Sequence, residues 1–459
     1  MSESPPTDTG GDDRKPAPAE NWFGSLFSRQ LPRSTALLLI AGAATLSVLA
    51  AWLQISRQTP QKRQIDPQAA WVEMADRVKA LKSAGRYGEA IKAAETAVRL
   101  AEQAYGPDHP AMAESLNELG QQMVAQSRFE GVERMYQRSL AIQSRLTGSE
   151  SPEAAHVANN LAQFYEKLGR FEEAGGLYER TLAIYRKAPG GDQEANVALA
   201  LNNIACLEDT LGNHEDAARI HRQALAIREQ LFGPADIATA ESYGNLAANA
   251  RERGDLEAAE RDQRRALSVR ERTVGPTHPL TASSLSGLAR LMVARKEIAA
   301  ADPIALGALA IQRKAYGLGH TASAATLETL ALIRGEQGEF ETARRYAEQA
   351  LASRLKANGP KHPRTADTMD AIAMLFVRLD ASEKSKPVEG QPSDRDAAVR
   401  LLEKASEIRA AVIGPAHPKT IASLRSLAEL YKKADRKDDA AKVETRISDA
   451  LAASEKNPK

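Results

Sequence analysis

Cysteine is almost missing: Cys206 is the single thiol in 459 residues. One thiol excludes an internal disulfide framework and a cysteine-built zinc site. Set in the apolar stretch Asn203-Ile204-Ala205-Cys206-Leu207, it reads as a small buried hydrophobe rather than a reactive group. Charge of one sign is missing too. Lys plus Arg total 61 against 60 Asp plus Glu, a formal net charge of +1, which argues against the basic stripe of a nucleic-acid binder. The marks of chemistry are absent as well. Gly317-Leu-Gly319 lacks the further glycines and the strand–loop–helix setting of a phosphate cradle. His214 and His221 share a helix face with no third ligand near in sequence. Carboxylates sit among Lys and Arg as helix-surface pairs do. No catalytic residue, cofactor or metal site is expected.

The one long apolar run lies near the start. Residues 1–20 are rich in Ser, Pro, Gly and Asp and read as a disordered polar tail. Residues 21–33 place Trp22, Phe23, Leu26 and Phe27 on one helix face, followed by Arg29 and Arg33, the pattern of an amphipathic segment at a membrane surface. Residues 34–54 carry no charge and include Leu37, Leu38, Leu39, Ile40, Leu46, Val48, Leu49, Trp52 and Leu53. At about 1.5 Å per residue such a run reaches across a hydrocarbon core, so it is expected to be a transmembrane helix, with 55–67 a linker. Arg14, Lys15, Arg29 and Arg33 on one side outnumber Arg57, Lys62 and Arg63 on the other, which favours the N-terminus inside. The expectation is a single-pass inner-membrane protein with its body exported to the periplasm.

Beyond residue 66 the chain repeats. Turn glycines recur at Gly106, Gly148, Gly190, Gly233, Gly275, Gly317, Gly359 and Gly414, at spacings of 42 or 43 until a final 55. The extra length matches a polar insert, residues 381–393, with the composition of a surface loop. Five of these turns carry histidine: His109, His278, His320, His362 and His417. Spaced one per repeat, they stand too far apart to share a metal and are expected to pack the loops. Midway between lie shorter turns at Gly85, Ser127, Gly169, Gly212, Gly254 and Gly338. Apolar residues at helical spacing flank each one. Every unit is therefore a helix, a tight turn, a second helix and a Gly-Pro break, where Gly ends one helix and the later Pro begins the next. Ala90, Ala174, Ala217, Ala259, Ala301 and Ala343 fall where the paired helices must approach closely. One hairpin cannot hide both apolar faces, so neighbours must stack. The last unit, with Lys432, Lys433, Arg436 and Lys437, suits a cap. Residues 454–459 read as a disordered tail.

These units resemble tetratricopeptide repeats, through Leu161, Ala162, Tyr165, Gly169, Phe171, Ala174 and Tyr178. The 42-residue length, helix ends such as Leu225-Ala226-Ile227-Arg228 and the Gly-Pro-x-His-Pro turns are similar to the kinesin-light-chain-like subtype, which occurs in many bacterial proteins. The motor-binding heptad segment of true kinesin light chains is not present. The resemblance implies an all-α, right-handed superhelical solenoid of about nine antiparallel hairpins over residues 68–453, preceded here by the transmembrane helix. It also implies that first helices line a concave groove for an extended peptide. On those helices Asn117, Asn159, Asn160, Asn202, Asn203 and Asn245 recur just before the Leu-Ala pair. Asn is a poor helix-interior residue. Its amide suits either the backbone of a guest peptide or a brace between repeats, and the sequence leaves both open. The expected function is a membrane-anchored scaffold for a protein or peptide partner, not an enzyme. A self-assembling envelope protein that forms homo-oligomers, and a regulatory subunit of a separate enzyme, are the alternatives.

Overall fold

In the computed structural model, residues 66–188, 192–317, 319–381 and 393–456 are described. The repeats form one compact unit, Pro67–Lys459, separate from the unit Met1–Asp66. Among the described residues nine hairpins follow one another. α1 (Pro67–Ser83) pairs with α2 (Tyr87–Tyr105), α3 (Pro110–Ala125) with α4 (Val132–Thr147), and α5 (Pro152–Leu168) with α6 (Phe171–Lys187). α7 (Asp192–Leu211) pairs with α8 (His214–Phe232), α9 (Ile237–Glu252) with α10 (Leu256–Thr273), and α11 (Pro279–Ala294) with α12 (Ile298–Tyr316). After a short 3₁₀ turn, Thr321–Ser323, α13 (Ala324–Glu336) pairs with α14 (Phe340–Asn358), α15 (Pro363–Ala381) with α16 (Asp394–Val412), and α17 (Pro418–Lys433) with α18 (Lys437–Lys456). No strand occurs among the described residues. The last helix runs three residues past the expected end at 453. The interior of the polar insert, 382–392, lies outside the described residues.

Each second helix packs between its own first helix and the next one. From the second hairpin to the eighth, successive first helices also touch one another directly, which puts them on the inner side of the curve. The reason lies at the crossing points. Ala90, Ala174, Ala217, Ala259, Ala301 and Ala343 are all fully buried, so each hairpin closes on a methyl group. The core is a string of local clusters rather than one centre. A large one joins Leu119, Tyr136, Leu161, Phe164 and Tyr178 across the first four hairpins, and another joins Leu375, Leu402, Leu427 and Tyr431 at the far end.

The Gly-Pro break is more specific than a left-handed cap. Gly106, Gly233, Gly317 and Gly359 hold φ between 79° and 87° with ψ between 168° and 177°. That combination is essentially closed to residues with a Cβ. The midpoint turns need positive φ as well, and Ser127, Lys296 and Asp435 adopt it where glycine is missing.

The membrane expectation is corrected. The proposed span 34–54, its anchor residues Leu37 to Leu53, and the segment 21–33 lie outside the described residues. Among the described residues no helix is long and apolar enough to cross a membrane. Even α12, with its run of Ile, Ala and Leu, carries Asp302, Arg313 and Lys314. Its apolar residues Ala301, Ala305 and Leu309 are covered by neighbouring helices. A single-pass membrane location is thus not supported.

If the buried alanines set the helix approach, Ala259→Leu overfills that crossing. The expected cost is about 1–3 kcal/mol, read as a lower urea midpoint with helicity retained in native buffer.

Candidate functional site

The loop histidines build the site's frame. The Nδ1 atoms of His109, His278, His320, His362 and His417 accept from the backbone N–H two residues on, at 3.0–3.2 Å. They are N-caps, and Ser151 and Asp236 take the same part where histidine is absent. With Nδ1 accepting, the proton of the neutral ring sits on Nε2. In His278 and His362 that atom reaches a helix end far away in sequence. His278 donates to the Ser83 carbonyl and His362 to the Glu166 carbonyl, each at 3.2 Å, across 195 and 196 residues. His417 lies against Gly212, where a Cβ would collide with the ring. His320 stands toward Ala125 at the equivalent place without completing the bond. The solenoid therefore coils until one turn rests on the previous one. Tyr87 stacks on Tyr316 at 5.2 Å, Phe171 meets His362 edge-on at 5.4 Å, and Lys419 pairs with Glu252 at 3.0 Å along the same seam.

Inside this coil is a cavity of about 780 Å³, walled mainly by α7, α9, α11, α13, α15 and α17. Arg251, Arg290, Arg354, Arg364, Arg409 and Lys419 reach its wall. So do Asp209, Glu252, Glu328, Asp367 and Asp370. Most of these charges are matched. Glu328 accepts from Arg290 and, at 3.0 Å, from Arg354; burial opposes its ionisation, yet the two guanidiniums hold its pKa below the usual carboxylate value. Glu252 is pulled down to about 2 against the same burial penalty, by Arg251 and Lys419. Asp209 bonds both His214 and His221 and also accepts from Asn249, which explains the histidine pair without a metal. Burial pushes the Cys206 thiol up, away from reactivity.

The asparagine column is drawn into the scaffold. Asn160 donates to Asn117 at 2.9 Å, Asn203 to Asn159 at 2.8 Å, and Asn245 to Asn202 at 2.8 Å. The second Asn of each repeat thus bonds the first Asn of the repeat before. In later repeats the acceptor becomes a carboxylate: Glu328 takes Thr368, and Asp370 takes Ser423 and Arg409. Asn245 differs from the other five in being only partly buried and in lining the cavity.

A second brace escaped the sequence reading. Arg228 donates to Ser242, Arg270 to Ser284 and Arg409 to Ser423, while Thr326 donates to Gln312, always 14 residues apart. The arginine of the Leu-Ala-Ile-Arg helix end is therefore buried. The constant offset to a Ser or Thr was the available signal.

A profile of the tetratricopeptide repeat matches residues 71–145, 153–230, 236–314, 323–386 and 393–452, which is most of the chain. The protein belongs to the tetratricopeptide repeat family. Among solved structures it is similar to a Rap protein in complex with Competence and Sporulation Factor, at 13% identity and a TM-score of 0.56, over 84% of this chain and 98% of that one. It also matches BtubC (BKLC) from P. vanneervenii, at 19% identity and TM-score 0.40, over 57% of this chain and 94% of that one. A Podosopora anserina kinesin-light-chain protein with nearly identical TPR-like repeats matches at 22% identity and TM-score 0.35, over 45% and 97%. No curated protein sequence matches.

Two outcomes follow from this geometry. Burial lowers the pKa of His278, and burial with neighbouring cations lowers those of His320, His362 and His417, that of His362 to about 3. The groups facing His362 include Arg364, Arg354 and Lys167, and all of them oppose a second positive charge. Because the folded pKa values lie below the unfolded value near 6.5, the stability these rings contribute is complete above that pH. It drains as pH falls toward 3. A thermal-melt series from pH 7 to 4 should show this decline, and it should flatten in His278→Asn/His362→Asn, where Asn keeps the cap. Separately, Asn202→Ala orphans the Asn245 amide and should cost about 1–3 kcal/mol in urea unfolding, with part of the loss recovered in Asn202→Ala/Asn245→Ala.

Proposed function

We propose that the concave surface of the coil holds an extended segment of a partner protein. The observation that carries this is the cavity of about 780 Å³ bounded by six first helices, with polar and charged groups along its wall. A solenoid of this family is a scaffold suited to protein–protein interaction, and no catalytic domain is evident among the described residues. The similarly folded Rap protein was solved with a bound factor, which supports a ligand-holding use of such a coil. Asn245 is the member of the asparagine column placed to meet a guest, through whichever of its amide hydrogens and lone pairs Asn202 does not occupy. The other five serve first as braces.

Photo-crosslinking tests the location. A benzophenone residue at Ala248, which lines the cavity, should yield adducts with a bound peptide. The same residue at Gln223, exposed on the second helix α8, should not. Equal labelling at both positions would place the contact elsewhere.

A further inference from the structure

We infer that the buried guanidinium of Arg270 anchors a site for a small free tetrahedral oxyanion of the phosphate class. The site is a recess of about 270 Å³ between α9, α10 and α11. It is independent of the concave-surface reading, since its anchor stands on a second helix and its ligand is a free ion. Four arginines hold the same place near the end of a second helix: Arg228, Arg270, Arg354 and Arg409, each donating to a Ser or Thr 14 residues on. In three of them a carboxylate answers the charge. Arg228 pairs with Glu241 at 3.2 Å, Arg354 with Glu328 at 3.0 Å, and Arg409 with Asp370 and, at 2.7 Å, with Asp367.

Arg270 is the exception. Glu328 and Asp370 stand eight residues after the loop histidines His320 and His362. Eight residues after Asp236, which takes the histidine's part in α9, stands Gly244. A Cβ built there would lie 3.5 Å from the Arg270 Nη2. The fold thus keeps the arginine and omits the carboxylate that faces it elsewhere. Arg270 is only 8% exposed. Its Nη1 donates to Ser284 at 2.7 Å and to the Leu280 carbonyl at 3.4 Å. Its Nε is buried without a partner, and Nη2 has none among the described residues. Glu241 acts on it only at a distance and is held by Arg228. A buried charge left in this way is costly until a counter-charge arrives.

The space that the missing side chain leaves belongs to the recess. Its wall includes Arg251, Arg270 and Arg290 with the amides of Gln263 and Gln312, and no carboxylate among the described residues. Arg251 and Arg290 hold Glu252 and Glu328 through one nitrogen each and keep further N–H donors. Gln312 accepts from Thr326 through Oε1, which leaves the hydrogens of Nε2. These donors come from four helices, α9 to α12, and so approach from several sides. A planar carboxylate offers two oxygens in one plane and matches a single fork, whereas a tetrahedral oxyanion offers acceptors in every direction. An ion held here supplies to Arg270 the charge that Asp370 supplies to Arg409.

The test is calorimetric titration of the full chain with inorganic phosphate at constant ionic strength, with chloride and acetate as controls. Phosphate should bind saturably and raise the melting temperature by mass action, and the controls should not. Gly244→Asp sets a carboxylate against Arg270 as Asp370 is set against Arg409, and its Cβ meets the guanidinium at ordinary contact distance. It should raise the melting temperature in the absence of phosphate by more than Gly244→Ala does. It should also weaken phosphate binding about tenfold or more, as expected for losing a charge-assisted bond. Arg270→Gln, which keeps a donor for Ser284, should lose phosphate binding as well; should it fail to fold, Gly244→Asp decides alone. Absence of phosphate binding, equal binding of chloride or acetate, or unchanged phosphate affinity in Gly244→Asp overturns the site. Peptide adducts at Ala248 without phosphate binding remove this site and leave the concave-surface reading. Phosphate binding that is lost in Gly244→Asp keeps this site whether or not such adducts form.

Discussion

Ala90, Ala174, Ala217, Ala259, Ala301 and Ala343 occupy the tightest points of the molecule, and the remaining geometry follows from them. A methyl group at each crossing lets the two helices of a hairpin close together, so the apolar stripe of the second helix is left for the next first helix to cover. Repeating that step bends the array toward its first helices. Because the bend is strong, the coil returns on itself within the length of the chain. A row of histidines then meets a row of helix ends.

The histidine is economical in what it does. One nitrogen starts a helix and the other fastens two turns, and the two tasks fix the same tautomer. Protonation of Nδ1 would abolish the cap while leaving the Nε2 bond, so burial that disfavours the charged ring keeps both tasks together. The electrostatics of the lumen divide along its length. The early repeats join their first helices through neutral amides, at Asn117, Asn160, Asn159 and Asn203. The late repeats use Glu328 and Asp370 with arginines. The amide links carry no charge to be matched, whereas the ionic links meet a guest with an existing network of pairs.

Much of the architecture was legible because it is periodic. Turn glycines at a spacing of 42 located the breaks, and the buried alanines fell where spacing put them. Local periodicity also favoured loop packing over metal binding for the histidines. It did not reveal the seam, because His278 and Ser83 stand 195 residues apart and no repeat of 42 residues encodes that pairing. The asparagine column was visible as a pattern, but its partner was not: an amide is equally suited to a guest backbone and to another amide, and the choice depends on how closely the fold brings two repeats together. Arg228 and Arg270 were passed over because arginine on a helix is ordinarily solvated; their burial depends on Ser242 and Ser284 on the following helix. The membrane expectation came from the apolar run 34–54, outside the described residues, whereas no described helix has a span's length and apolarity.

The contact between turns also constrains how such a chain can grow. Adding a hairpin at either end extends the coil without disturbing what is already joined. Adding or deleting one in the middle would offset every later histidine from its carbonyl by a whole unit, and His362 would face a different helix end than Glu166. The array behaves like a screw thread: its ends are free to lengthen, and its interior count is held by the mesh.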